Sequence, residues 1–397
     1  MASIYERWGV TTIINAYGPN TRLSGGIMAP EVAQAMAEAS QYCVDMAELQ
    51  ARASAEIAQV TGAEAGYVTS GAAAGLLLGL AATMTGLDPD KMNRLPDTTG
   101  MKREIIVPRS HRNFYDRAAR ALGATVIEVG LSDRFSGTGV RDTEAWEIAA
   151  AVTERTAAIY YLAKPHSLPD LREVVALARP RGVPVVVDAA AELPPASNLR
   201  RFLAEGADLV AFSGGKAIGG PQASGILAGR RELIAAAALQ NLDLDLFFEQ
   251  FNPPPEFIEK RSLPGLPQHG IGRPCKVGKE EIIGLLVALR LFVADTGARE
   301  ARWRQLSEQM LSQLKAIGRL EATLVSDARE SGIPYVAVRG RDAAINMRAL
   351  AWKLEAGTPR VCCNISRAGD GVLLLSPVCL REDQLPALAQ AFRAALA

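Results

Sequence analysis

The chain has 397 residues, of which 49% are hydrophobic and 22% are charged, a composition typical of a globular protein long enough for two domains. Its 43 Lys and Arg residues balance its 43 Asp and Glu residues, and this zero net charge argues against a surface devoted to nucleic acid. The first residues lack the pattern of a signal peptide, and no apolar run reaches the roughly 20 residues of a membrane span, so we expect neither secretion nor membrane insertion.

Residues 60–230 alternate short β-branched runs with alanine-rich or amphipathic helical segments. This alternation predicts an α/β fold with a mostly parallel central sheet and helices on both faces. In such sheets, ligands bind at the carboxyl ends of the strands. The predicted strands lie at 65–70, 104–108, 125–130, 157–163, 184–189, 208–213 and 224–229.

The pattern changes after residue 230. A proline-rich, irregular loop is predicted at 250–275, and a long helix follows from 279. Later strands at 323–327, 335–340, 361–366 and 371–376, mixed with helices at 345–357 and 384–397, indicate a small α+β domain. We therefore predict an N-terminal segment that lines the active site (1–30), a large domain (31–275), and an inter-domain helix with a small C-terminal domain (276–397).

Asp188 is the first candidate for chemistry because it ends the apolar run PVVVD. A carboxylate at the end of a buried strand is costly unless it is paired, although a helix N-cap or a loop acid would also fit this position. Lys216, in SGGKAIGG, follows the next predicted strand, so it lies at the same edge of the sheet. A carboxylate and a lysine so placed suit pyridoxal 5'-phosphate, whose pyridine nitrogen pairs with the acid and whose aldehyde forms a Schiff base with the amine.

A phosphate site is the third requirement of this cofactor, and the segment VTSGAAAG (68–75) supplies a candidate. There a predicted strand ends at Ser70 and Gly71, and a helix opens at Ala72. The free amides and the dipole of a helix N-terminus bind phosphate. Turns of small residues before helices are common, so this segment alone is weak evidence for a phosphate site. It becomes strong evidence in combination with Asp188 and Lys216.

Together these motifs resemble the fold-type I (aspartate-aminotransferase-like) pyridoxal phosphate enzymes, and more narrowly the family of L-seryl-tRNA(Sec) selenium transferases and D-glucosaminate-6-phosphate ammonia-lyases. VTSGAAAG and DAAAELPP favour the ammonia-lyase-like members. The selenium transferases carry an additional N-terminal region for tRNA, which we do not expect here. The resemblance rests on INAYGPNTRLSGGIMAPEVAQAM, TGAEAGYVTSGAAAGL, VVVDAAAELPP, DLVAFSGGKAIGGPQASGIL and GIGRPCKVGKEEIIGLLVAL.

The resemblance implies roles for the residues that would hold the cofactor. Lys216 would be the Schiff-base lysine and the proton shuttle at the substrate Cα, and Asp188 the partner of the pyridine nitrogen. His111 would stack on the cofactor ring, although a surface histidine that caps a helix is an alternative. The residues that would bind the cofactor phosphate are Ser70, Gly71, Ala72 and Ser213.

The resemblance also implies basic and polar residues that contact the substrate or a second subunit. Arg273 and Lys276 precede the long helix, where this fold often reaches the neighbouring subunit's phosphate, although a solvated basic turn also fits. Arg360 is a candidate for the substrate carboxylate, because a guanidinium grips a carboxylate with two hydrogen bonds. Arg367 is its rival. The other substrate candidates are Asn20, Arg22 and His166, the last of which could equally lie behind the site or on the surface.

Cysteine and histidine spacing predicts neither disulfides nor a metal site. The five cysteines show no CxxC pair, and Cys362 and Cys363 are adjacent in a predicted strand, where we expect them to pack as small apolar side chains. The three histidines are scattered. We expect a cytoplasmic homodimer or higher homo-oligomer that acts on a small molecule.

The resemblance implies a lyase that acts on an amino acid or 2-amino sugar acid with a β-hydroxyl. Loss of the Cα proton, elimination of the hydroxyl and release of ammonia would give a 2-keto-3-deoxy acid. Return of the proton from the other face would make a racemase or epimerase, which needs a second acid such as His111 or His166. Selenium-transferase-like or aminotransferase activity, cleavage of the Cα–Cβ bond by an aldolase and a non-catalytic protein are further alternatives.

Overall fold

The computed structural model describes residues 3–131, 142–326 and 333–397. Its strands are β1 Ile13–Ala16, β2 Ala65–Thr69, β3 Glu104–Pro108, β4 Thr125–Val129, β5 Thr156–Leu162, β6 Val185–Asp188, β7 Leu209–Ser213, β8 Gly225–Gly229, β9 Leu320–Ser326, β10 Pro334–Gly340, β11 Arg360–Cys363 and β12 Leu373–Leu375. Its α-helices are α1 Ile4–Arg7, α2 Pro30–Ala39, α3 Met46–Thr61, α4 Ala72–Thr85, α5 Pro89–Arg94, α6 Arg117–Ala121, α7 Ala145–Ala150, α8 Leu171–Ala178, α9 Asn198–Ala204, α10 Arg231–Asn241, α11 Lys279–Ala294, α12 Thr296–Lys315, α13 Met347–Ala356 and α14 Leu385–Leu396.

The chain divides into a large unit, Met28–Val293, and a small unit made of Met1–Ile27 and Ala294–Ala397. The sequence placed the boundaries at 30/31 and 275/276 instead. The later boundary differs because α11 belongs to the large unit, where Ile282 and Leu285 are buried in a core cluster with strand residues. Among the described residues, no helix is long and apolar enough to cross a membrane.

Seven strands within the described part of the large unit form one sheet in the order β2-β8-β7-β6-β5-β3-β4. The pairs from β4 to β7 are parallel, and β8 runs antiparallel to both β7 and β2. The mostly parallel sheet expected from the sequence is therefore confirmed. Short 3-10 turns at Phe248–Gln250, Lys260–Ser262 and Arg273–Cys275 are the helical structure described around the predicted irregular loop.

Both faces of this sheet are covered, which explains why its strands are almost continuously apolar. Successive strand residues enter different clusters: Ile105 packs with α4 and α10 residues, and its neighbour Ile106 packs with α3, α8 and α11 residues. Each cluster removes side chains of all central strands from water, and this burial is the main favourable term in folding.

The small unit has an antiparallel sheet, β12-β10-β9, and a parallel pair, β1 and β11. Its core contains Met310 and Leu314 of α12, Leu350 of α13 and Phe392 of α14. Cys362 and Cys363 are buried on β11. Asp327, the last residue of one predicted strand, lies outside the described residues.

The open edge of β2 is covered by polar side chains of α3. Gln50 Nε2 donates to the Val68 carbonyl (2.9 Å), and Gln50 Oε1 accepts from the Val68 amide (3.1 Å). Ser54 Oγ accepts from the Gly66 amide (3.0 Å). Side chains thus replace the missing neighbouring strand and remove an edge that could pair with another chain.

We predict that Gln50→Ala lowers the free energy of unfolding by about 1–3 kcal/mol, because the Val68 amide and carbonyl lose their partner in a buried position. Denaturant unfolding followed by circular dichroism measures the change. Gln41→Ala, which removes an exposed glutamine, is the matched control. Equal stabilities of the two variants would contradict this account of the edge.

Candidate active site

The carboxyl ends of β5, β6 and β7 meet at one edge of the sheet. The pairing register places Leu162 opposite Asp188 and Asp188 opposite Ala211, so Lys216 begins its loop a few residues beyond. The antiparallel strand β8 starts at this edge, and its Gly225 lies opposite both Ser213 and Thr69. Strand register alone therefore gathers the acid, the lysine loop and the start of α4.

Asp188 is almost completely buried, with 3% of its surface exposed. Its Oδ2 accepts a hydrogen bond from the Tyr160 hydroxyl (2.8 Å), and its Oδ1 accepts one from the Ala190 amide (3.1 Å). Burial raises the pKa of Asp188, while these two hydrogen bonds and the positive charges of Lys216 and Lys164 act in the opposite direction. A carboxylate held in this way is a strong acceptor for one further cationic donor.

Tyr160 is a residue that the sequence analysis missed. Asn113 Nδ2 donates to the Tyr160 hydroxyl (3.1 Å), which in turn donates to Asp188. Burial, followed by the nearby Asp188 charge, raises the pKa of Tyr160, so its hydroxyl stays a donor. The position of Tyr160 in the predicted strand AAIYYL, next to the strand of Asp188, could have indicated that it lies near this acid.

The lysine loop folds back on itself. The Gly214 amide donates to the Ser224 carbonyl (2.9 Å), and the Gly220 amide donates to the Gly214 carbonyl (2.9 Å). A Cβ on Gly215 would lie 2.5 Å from the Gln222 Cα. The glycines around Lys216 predict a close approach of the backbone, and the partner in the structure is the loop's own return segment. The loop that carries Lys216 is therefore fixed by backbone contacts.

The turn before α4 has the features of an anion site. Gly71 is the N-cap at φ 139°, and no side chain caps the helix there. A Cβ on Gly71 would meet nothing within 4 Å, whereas one on Gly225 would lie 2.5 Å from the Gly71 carbonyl carbon. Ser70 Oγ donates to the Cys275 carbonyl (2.9 Å), so this hydroxyl also anchors the 273–276 segment. The first amides of α4, which begin at Ala72, are therefore not capped by a side chain.

His111 lies at the same edge, after β3, but it is only 2% exposed. Its Nε2 is 3.0 Å from the Leu168 carbonyl, and its Nδ1 accepts from the Leu162 amide (3.3 Å). Its ring stands edge-on to Tyr161, with 4.6 Å between the centroids. Both ring nitrogens are therefore engaged, and burial lowers the pKa of His111 to about 4. This geometry does not support His111 as the second acid of a racemase, and its stacking on a cofactor stays a prediction.

Arg273 and Lys276 follow the irregular loop as expected. Arg273 Nη2 donates to Asp243 Oδ2 (2.6 Å), and its Nη1 donates to the Asn241 carbonyl (3.3 Å). Arg273 is therefore paired within its own chain. Lys276 is exposed, one residue after the Cys275 carbonyl that Ser70 holds.

The substrate candidates of the small unit lie around Glu355. Arg22 Nη2 forms an ion pair with Glu355 Oε1 (3.2 Å), and Arg360 Nε donates to the Glu355 carbonyl (3.0 Å). Asn20 Oδ1 accepts from the Arg22 amide (2.9 Å). The structure thus brings three of the predicted substrate residues together, and it adds an acidic residue that the sequence analysis did not consider. Arg367 instead lies 3.5 Å from Asp370.

The donor set of the large unit fits pyridoxal 5'-phosphate. A lysine, a buried acid with accepting capacity and an uncapped helix N-terminus match the aldehyde, the pyridine nitrogen and the phosphate of that molecule. The Ser110 hydroxyl, beside His111, is buried without a hydrogen-bond partner among the described residues, so a polar group is left over at this edge. The described residues contain no group of three His, Cys, Asp or Glu side chains that could hold a metal ion.

A family model matches the middle of the chain, and three known proteins match nearly its full length. The family model "SelA: L-seryl-tRNA selenium transferase" matches residues 112–248. A 5'-C-glycyluridine monooxygenase-decarboxylase from a Streptomyces species is 33% identical, over 96% of this chain and 88% of the relative. A D-glucosaminate-6-phosphate ammonia lyase from Salmonella typhimurium is 29% identical, over 96% and 95%. An L-seryl-tRNA(Sec) selenium transferase from Solidesulfovibrio magneticus is 29% identical, over 95% and 80%.

This chain belongs to the selenium transferase and ammonia-lyase-like family. A solved structure of D-glucosaminate-6-phosphate ammonia-lyase covers all of the chain with a TM-score of 0.82 and 28% identity, and the chain covers 98% of that structure. A NifS-like protein, 17% identical with a TM-score of 0.55, shares the fold alone. The family and the fold-type I architecture named from the motifs are both confirmed.

We predict that acid destabilises this protein partly through His111. The unfolded histidine has a pKa near 6.5 and the folded one about 4, so the folded state binds fewer protons in this window and loses stability as the pH falls. The loss should reach about 2–3 kcal/mol by pH 4.5. Unfolding free energies at pH 7 and pH 4.5 should differ less in His111→Gln than in the wild type. The exposed His269→Gln is the control, and an unchanged pH dependence in His111→Gln would refute the prediction.

Proposed function

We propose that this protein binds pyridoxal 5'-phosphate at the carboxyl edge of the large unit and acts as a carbon–nitrogen lyase. Its substrate would be an amino acid or 2-amino sugar acid with a hydroxyl on Cβ, and its products ammonia and a 2-keto-3-deoxy acid. The observation that carries the proposal is the match, over the whole chain, to the sequence and the structure of an ammonia lyase. The edge around Lys216 and Asp188 supplies the chemistry.

The cofactor would be held at three points. Lys216 would bind it covalently, Asp188 would pair with its ring nitrogen, and the start of α4 would take its phosphate with help from the Ser213 hydroxyl. Pyridoxal 5'-phosphate supplies a ring that accepts electron density from the substrate Cα. The residues proposed to contact the phosphate are Ser70, Gly71, Ala72 and Ser213.

The chain's own residues would then move protons and hold charge. Asp188, oriented by Tyr160 and the Ala190 amide, would keep a proton on the ring nitrogen, because a buried anion strongly favours a cation beside it. The Lys216 amine takes the proton from the substrate Cα. Loss of the hydroxyl from Cβ and hydrolysis of the carbon–nitrogen bond complete the reaction.

Substrate recognition is assigned to residues whose roles stay predictions. Arg22 and Arg360 would bind the substrate carboxylate, with Glu355 limiting the local positive charge. Asn20 and His166 would contact the remainder of the substrate. In a homodimer or higher homo-oligomer in the cytoplasm, Arg273 and Lys276 would face the site of the neighbouring subunit. No nucleic-acid or membrane partner is proposed.

A second candidate function is favoured by the monooxygenase-decarboxylase relative, which is 33% identical to this chain. Such an enzyme would consume dioxygen and release carbon dioxide, and it would use the same cofactor edge differently. A racemase is less well supported, because both nitrogens of His111 are engaged by backbone atoms. Aminotransferase and selenium-transferase-like activities stay further alternatives.

The deciding experiment incubates the cofactor-loaded protein in heavy water with D- and L-amino acids, 2-amino sugar acids and their 6-phosphates, followed by mass spectrometry. The lyase proposal expects deuterium at Cα of one compound, together with ammonia and a keto acid. Deuterium exchange at Cα with inversion of its configuration and no release of ammonia would show a racemase in place of a lyase. Oxygen consumption with carbon dioxide release would replace it with oxidative decarboxylation.

We predict that Lys216→Ala abolishes the visible absorbance of the bound cofactor and lowers turnover by roughly 10²–10⁴-fold or more, because both the covalent anchor and the base at Cα are lost. Absorption spectra and ammonia release measure the two effects. Lys102→Ala, at an exposed lysine, should change neither. A Lys216→Ala protein that kept both properties would rule out the assignment.

A further inference from the structure

His166 has an unusual backbone conformation. The described non-glycine residues with positive φ are Ser24 and His166, at 61° and 60°. This left-handed region is easily adopted by glycine and costs energy for residues with a Cβ. Such conformations persist where the surrounding structure enforces them, and they concentrate at functional sites.

The turn that contains His166 is fixed by Ser167. The Ser167 amide donates to the Lys164 carbonyl (3.1 Å), which closes a four-residue turn with Pro165 second and His166 third. Ser167 Oγ accepts from the Lys164 amide (2.9 Å) and donates to the Leu162 carbonyl (2.9 Å). A positive φ at the third position is the requirement of a type II turn, where glycine is the usual residue. A histidine occupies that position here.

The turn lies beside the proposed site. It directly follows β5, whose next residue, Ala163, donates its amide to the Asp188 carbonyl (2.9 Å). The Lys164 side chain is close enough to act electrostatically on both Asp188 and His111. His166 is exposed, so its imidazole is open to solvent.

Three acid–base side chains on β5 and beside it are already engaged. The Tyr160 hydroxyl donates to Asp188, and the Tyr161 hydroxyl donates to the Pro169 carbonyl (3.0 Å). His111 has both nitrogens on backbone atoms. His166 differs from these three groups because its side chain is exposed, and an imidazole can deliver a proton near neutral pH.

We propose that His166 is the general acid for the leaving group at Cβ, an inference that rests on the proposed lyase function. The Cα–H bond breaks, its proton passes to the Lys216 amine, and its electron pair forms the Cα–Cβ double bond. The Cβ–O bond breaks, and the departing oxygen takes its bonding pair and the proton of the His166 imidazolium, leaving as water. The neutral imidazole regains a proton from solvent.

The test compares two leaving groups on one carbon skeleton. The cofactor-loaded wild type, His166→Gln and the control His269→Gln are each given D-glucosaminate 6-phosphate and its 3-chloro-3-deoxy analogue. Chloride needs no proton to leave, whereas hydroxide does. His166→Gln should lose roughly 10²–10⁴-fold in ammonia release from the hydroxyl compound and less than about 10-fold from the chloro compound. His269→Gln should match the wild type with both compounds.

Deuterium exchange at Cα separates failure of this inference from failure of the proposed function. His166→Gln should still exchange the Cα hydrogen of the hydroxyl compound, because Lys216 is intact. Equal losses with both leaving groups would overturn the assignment of His166. Absence of Cα exchange in the wild type would overturn the lyase proposal itself, and the inference with it.

Thermal unfolding of His166→Gly supplies a readout that does not depend on turnover. If His166 stabilises the turn, its replacement by glycine should lower Tm. A histidine kept for chemistry in a left-handed conformation should leave Tm unchanged or higher, because glycine adopts this φ without strain. We expect the second result, and a clear fall in Tm would count against the proposal.

Discussion

The large unit is organised around one buried carboxylate. Asp188 ends a strand whose other residues are all apolar, and an ionised group in such a place is costly unless donors and a cation surround it. Tyr160 and the Ala190 amide supply the donors from the adjacent strand and from the following turn. The lysine loop supplies positive charge. A buried acid that keeps some of its accepting capacity has a physical reason to bind a cationic ring.

Close backbone approaches explain why glycines surround this acid. Gly225 permits β8 to pass the turn before α4, and Gly215 permits the lysine loop to lie on its own return segment. Neither position could carry a Cβ without displacing backbone atoms. The N-cap of α4 is itself a glycine, Gly71, so no side chain caps the first amides of this helix.

The sequence predicted the parallel sheet, and it predicted a candidate site at one sheet edge, because strand length, apolar runs and chain order are local properties. It could not show what each side chain contacts. The hydrogen bonds of His111 to the Leu162 and Leu168 backbone depend on a loop that returns after β5. The donor role of Tyr160 and the pairing of Arg22 with Glu355 likewise depend on distant segments. The compact units divide near residue 293, and not at the predicted 275/276, because packing places α11 in the large unit.

Residues that hold a cofactor do not by themselves select a reaction. Relatives named as an ammonia lyase and as a monooxygenase-decarboxylase match this chain over similar lengths, so similarity over the whole chain does not by itself select the reaction. After the Cα bond is broken, the next bond to break is decided by groups that can protonate, or fail to protonate, the atoms around Cβ. Those groups stand on loops beyond the strands. The turn at 164–167 is such a loop. His166 has a strained backbone there, as expected of a residue that is retained for catalysis at a cost in stability.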